Sequence, residues 1–209
     1  MRLIPLVLAT LILCAPPSYA EEWIEYSSRV DFFSVNFPGQ PKITDIMYPT
    51  EYGIELPGRI YRADVDKNHY SVTVVDYSQA DRIHAERNKN CKGDGDICND
   101  RGGGEARGAM IFAAFPFLQR NAKLTHFAYY NADRVEGLRI QLNNVDGSQT
   151  YAVIHMHENR LYIFEGTVAA GLPPPALFQQ SVGFLDKDGK RIRYSTVYSN
   201  GYPPPPRDR

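Results

Sequence analysis

The chain has 209 residues, 23 Lys and Arg against 24 Asp and Glu, a formal net charge of −1, and 43% hydrophobic residues. Such a balance offers no basic field to nucleic acid and no acidic excess of the kind that keeps a chain unfolded. The length fits one domain with a single core, and 14 Tyr and 10 Phe beside one Trp weight the composition toward half-buried sheet.

The first element is a leader. Arg2 opens it, residues 3–13 are uniformly apolar, Pro16-Pro17 closes the run, and Ser18-Tyr19-Ala20 places small residues where a signal peptidase reads. The run is shorter than the roughly 20 residues that span a bilayer. Cys14 follows Leu13, where a lipid-attachment signal wants a small residue, so it belongs to the apolar run. Residues 1–20 are expected to be removed after Ala20, which delivers a chain starting at Glu21 to an oxidising compartment, the periplasm or beyond. Losing Arg2 leaves 22 basic against 24 acidic groups. No later stretch reaches spanning length, so no transmembrane segment is expected in the mature chain.

Phe33, Val35 and Phe37 alternate with polar residues until Pro38-Gly39-Gln40-Pro41, which predicts a first strand over 32–37 and a turn. Strands over 42–47, 59–65 and 69–77 follow, the last two joined by a tight turn at Asp66-Lys67-Asn68. Ser78 is placed to cap a helix over 79–88 with Ala80, Ile83 and Arg87 on its inward stripe. Residues 88–104 read as an exposed loop. Residues 105–120 turn apolar as a buried helix would, with Pro116 to kink or end it. Four strands over 124–130, 135–143, 150–157 and 161–166 then form an antiparallel meander, because Asp146-Gly147 and Glu158-Asn159-Arg160 are short connections. A helix over 176–182, a strand over 191–198 and a Pro-rich flexible tail over 199–209 complete the chain. The expected organisation is a signal peptide (1–20), one α+β domain (21–198) carrying the Cys-containing loop 88–104, and the tail.

Cleavage leaves two cysteines, Cys91 and Cys98, which in an exported protein read as a disulfide. The ring is small, so the bond contributes at most about 2.5 kcal/mol and staples the loop rather than the core. The spacing is not Cys-x-x-Cys, and no second Cys pair completes a tetrahedral zinc site.

His155-Met156-His157 is the leading candidate for a metal site. Residues two apart on a strand share a face, so His155 and His157 present two imidazoles together while Met156 points away. A third ligand would come from Glu165, His126 or His69. Asp94, Asp96 and Asp100 depart from the EF-hand order, with Cys98 where a ligand belongs. Gly102-Gly103-Gly104 lacks the lysine and hydroxyl of a phosphate loop, and Glu105 repels anions. No Gly-x-Ser-x-Gly elbow, His-Glu-x-x-His helix or free thiol points to a hydrolase. No catalytic residue and no cofactor is assigned, and an enzyme is the less favoured class.

Four segments carry a resemblance. Phe33-Ser34-Val35-Asn36-Phe37-Pro38-Gly39-Gln40-Pro41, Val135-Glu136-Gly137-Leu138-Arg139-Ile140, Asn159-Arg160-Leu161-Tyr162 and Phe178-Gln179-Gln180-Ser181-Val182-Gly183-Phe184 resemble small exported bacterial proteins of the PsbP-like fold, which the photosystem II extrinsic subunit shares with the Ran-binding import factor. The Cys-containing insertion and the proline tail depart from that pattern. The resemblance implies an antiparallel sheet flanked by helices, an α/β/α sandwich, and an accessory or partner-binding role. It transfers no catalytic residue, because the matched segments are packing and turn motifs. The expectation is a periplasmic or secreted non-enzymatic binding protein whose partner is another exported or membrane-associated protein or a small ligand. The alternatives are a metal-binding protein using the His pair and an enzyme of unrecognised type.

Overall fold

A computed structural model describes residues 22–92, 102–200 and 205–207. The leader, Asp94, Asp96, Cys98 and Asp100 lie outside the described residues, and so therefore does the expected Cys91–Cys98 ring.

The described elements run β1 (Trp23–Ser28), β2 (Phe33–Pro38), β3 (Lys42–Pro49), β4 (Glu55–Val65), β5 (Asn68–Asp76), α1 (Ala80–Asn88), α2 (Gly102–Leu118), β6 (Ala122–Ala132), β7 (Val135–Asn144), β8 (Gln149–His157), β9 (Arg160–Val168), α3 (Ala176–Gln179) and β10 (Gly183–Phe184). Seven strands form one sheet in the order β3-β4-β5-β9-β8-β7-β6, and β1, β2 and β10 form a small second sheet. Every neighbouring pair is antiparallel. The hairpins explain why. The β6–β7 and β8–β9 links are two-residue turns with positive φ at both positions, Asp133 and Arg134, then Glu158 and Asn159, a twist that matches the flanking strands.

Period-2 alternation sorts the large sheet's side chains onto two faces. One face is aromatic: Tyr61, Tyr70, Tyr162 and Phe164 meet Phe33 and Phe37 of β2, Phe178 of α3, and Phe184 of β10. The other is aliphatic: Leu56, Val75, Leu138, Ile140, Leu142, Ile154, Met156 and Leu161 lie under Met110, Ala113, Ala114 and Phe117 of α2. Alanines at the contact let α2 sit close to the strands, which favours branched aliphatic partners over rings.

The fold is α+β with the expected meander. Two helices cover one face, but the other carries the small sheet and the single turn of α3 rather than a helical layer. β1 was not expected, although Ile24 and Tyr26 alternate. Residues 191–198 form only isolated bridges, through Arg191, Tyr194 and Tyr198, while Ile192 and Tyr194 still fill the aromatic core. α1 begins after Gln79 with no side-chain cap, so Ser78 does not cap it; Ser78 instead donates its N–H to Asp76 at 2.9 Å. Pro116 stands in the last turn of α2, two residues before its end at Leu118. Parts of the expected tail are tied back: Ser199 Oγ donates to Glu136 at 2.5 Å, Asn200 to the Ala106 carbonyl at 2.6 Å, and Ser195 N to the Pro206 carbonyl at 3.0 Å.

Candidate functional site

His155 and His157 stand on the aromatic face, as strand spacing predicts, with Met156 on the aliphatic one. Both are buried. His155 Nδ1 lies 3.1 Å from the Glu136 carbonyl, and its ring contacts Tyr130, Phe164 and Phe184. His157 Nε2 lies 2.7 Å from the Tyr194 hydroxyl among Phe184, Tyr194 and Tyr198. Gly137 makes room for this arrangement, because a Cβ there would collide with the His155 ring. Burial pushes His155 down to about 4 and His157 down to about 3, and for His157 the nearby positive charge of Arg207 acts in the same direction. Both imidazoles are therefore neutral at pH 7. The described residues contain no group of three His, Cys, Asp or Glu side chains that could hold a metal ion.

The other potential ligands lie elsewhere. His126 is on the exposed edge strand β6. His69 and Glu165 do come together, but on the opposite face of the sheet from the His pair. They line one hollow of about 350 Å³ with Arg62, Asp64, Ser71 and Thr167. In it, His69 Nδ1 pairs with Asp64 Oδ1 at 2.8 Å, and Arg120 donates to Glu165 Oε1 at 2.6 Å.

Two buried clusters escaped the sequence reading. Asp31, in the β1–β2 turn, accepts from Arg59 at 2.6 Å and from the Tyr61 hydroxyl at 2.5 Å, while its carbonyl accepts from Tyr162 at 2.9 Å. Glu105 Oε1 accepts from Thr50 at 2.7 Å and from the Tyr52 N–H at 3.2 Å, and lies 3.0 Å from His84 Nε2. His84 falls four residues after Ala80, on the same inward stripe of α1, and that spacing was the available signal. Both clusters fasten loops to the sheet or the helices.

The largest departure from ordinary surface is apolar. On α2, Ile111, Phe115 and Leu118 are 54%, 54% and 40% exposed, and their spacing of four and three residues sets them in one outward stripe. On β6, Leu124, Phe127 and Tyr129 face Leu142, Ile140 and Leu138, so they share the face that α2 covers. α2 packs over β7, β8 and β9, and these three β6 residues are exposed beside it, Tyr129 at 86%. β6 is also an outer strand of the large sheet. The other outer strand, β3, carries Lys42 and Asp45 and ends in Pro49, devices that discourage edge pairing. β6 has no Lys, Arg, Asp or Glu after Lys123.

No family model matches the chain, and no curated protein matches it. Among solved structures, the chain is similar to the solution structure of cyanobacterial PsbP (CyanoP) from Synechocystis sp. PCC 6803, with a TM-score of 0.40 and 12% identity over 73% of this chain and 84% of that one.

Proposed function

We propose that the protein is an exported, non-enzymatic accessory protein that receives an extended segment of another exported protein along β6. One observation carries this reading: an open, nearly uncharged strand edge lies beside six exposed apolar side chains on α2 and β6. An added strand would pair with the outer backbone groups of β6, which no other described strand pairs, and its alternate side chains would cover Leu124, Phe127 and Tyr129. Export rests on the leader read in residues 1–20, and the Cys91–Cys98 ring is proposed as a staple suited to that compartment.

The test is photo-crosslinking in the producing cell, with a benzophenone amino acid at Phe115 or Lys187. A discrete adduct from Phe115, absent from Lys187 and lost when Phe127→Lys charges the edge, supports the reading. Equal labelling at both positions, or an adduct indifferent to Phe127→Lys, overturns it.

A further inference from the structure

The helices cover only part of their face of the large sheet, and at the end away from the exposed apolar side chains of β6 the part they leave open is polar. One cross-strand row there runs Lys42 on β3, Arg62 on β4, Ser71 on β5 and Glu165 on β9. Lys42 lies directly opposite Arg62, which places their Cβ atoms about 5 Å apart on one face. Like charges facing each other across an antiparallel pair repel.

The neighbouring carboxylates relieve that repulsion only in part. Asp64 is engaged by His69 at 2.8 Å and Glu165 by Arg120 at 2.6 Å. Neither Lys42 nor Arg62 forms an ion pair with a described residue. Two adjoining hollows, of about 350 and about 370 Å³, share Arg62 and Asp64. Lys42 and Thr44 line one, and Ser71 and Thr167 the other. The cleft thus holds two uncommitted cations beside hydroxyl donors.

We propose that this cleft binds a phosphate dianion between the Lys42 ammonium and the Arg62 guanidinium, with the Ser71 hydroxyl as a further donor. The two cations outnumber the one carboxylate, Asp64, that shares both hollows, since Arg120 pairs with Glu165, and a guanidinium fork fits two phosphate oxygens at once. Binding would turn the repulsion between opposed cations into a bridge. The phosphate is either the free ion or the headgroup of a phosphorylated lipid, since both present the same oxygens.

The first arm titrates the full ¹⁵N-labelled chain with inorganic phosphate at constant ionic strength. The expected result is saturable movement of the Thr44, Arg62 and Ser71 amides. Lys42→Gln and Arg62→Gln should each weaken binding about tenfold, as loss of a charge-assisted hydrogen bond does, while Lys187→Gln leaves it unchanged. Without phosphate, both cleft variants should melt at or above the parent's Tm, because each removes a repulsion. The second arm sediments the protein with phosphatidylcholine vesicles with and without phosphatidic acid. Binding that needs phosphatidic acid and is lost in Lys42→Gln assigns the headgroup, and response to inorganic phosphate alone assigns the free ion. Shifts that chloride reproduces, variants that bind as the parent does, or no binding in either arm overturn the site.

Discussion

His155 and His157 illustrate how a position's chemistry changes once its surroundings are known. In the unfolded chain each imidazole titrates near its ordinary value of 6.5, whereas burial holds them near 4 and near 3 in the folded protein. Between those values the unfolded state binds protons that the folded state does not, so stability is complete above about pH 6.5 and falls as the pH drops toward 4. Urea unfolding across that window should show a loss of roughly 1 kcal/mol per pH unit for each imidazole, and His157→Gln should flatten the slope. An unchanged slope in that variant would place the acid sensitivity elsewhere. Asp31 makes a second test at this scale. It is 6% exposed and holds both Arg59 and Tyr61. Asp31→Ala should cost about 2–3 kcal/mol by stranding those donors. A loss below half a kcal/mol would show that the turn does not depend on it.

At the scale of elements, α2 shows how little composition says about orientation. It is apolar on nearly every side, so its periodicity does not mark an inward stripe. Ala113, Ala114 and Phe117 face the sheet, and Ile111 and Phe115 face outward. Thermal or urea denaturation distinguishes the two sets: Phe117→Ala should cost about 3–5 kcal/mol, while Phe115→Ser should stay within about half a kcal/mol. Equal losses would mean that the outward stripe is covered in the isolated protein. The hairpins were more legible. Turns form at each of the expected places, Asp66-Lys67-Asn68, Asp146-Gly147 and Glu158-Asn159-Arg160: two residues link β4 to β5 and β8 to β9, four link β7 to β8, and links this short leave their flanking strands as antiparallel neighbours. α3 starts at Ala176 as expected but stops after four residues, short of residue 182, because the chain must then extend to pair Gly183 with Ser34.

For the whole molecule, the decisive pairing is β5 with β9, which joins the N-terminal hairpins to the C-terminal meander as one sheet. Nearly a hundred residues separate Val72 from its partner Phe164, and no local pattern marks that contact. The export reading is tested on the intact secreted protein by mass spectrometry under denaturing, non-reducing conditions. A mass that begins at Glu21 and lies two hydrogens below the reduced value is expected, and a mass that includes residues 1–20 would end the cleavage reading. The polar cleft and the β6 edge both depend on that same long-range closure. It decides which strands become outer edges and which part of the aliphatic face the helices leave uncovered.

Local covalent and steric rules act over a few residues, and what they control was readable in the chain alone: the strand alternation, the tight turns, the α+β class and the shared face of His155 and His157. Even the resemblance to PsbP-like proteins rests on short packing and turn segments of this kind. Burial, by contrast, is a property of what arrives from elsewhere in the chain. Only the tertiary structure therefore decided that the His pair sits among aromatic rings, that His69 and Glu165 meet on the opposite face, that Lys42 opposes Arg62, and that the apolar side chains of β6 and α2 are left in the open.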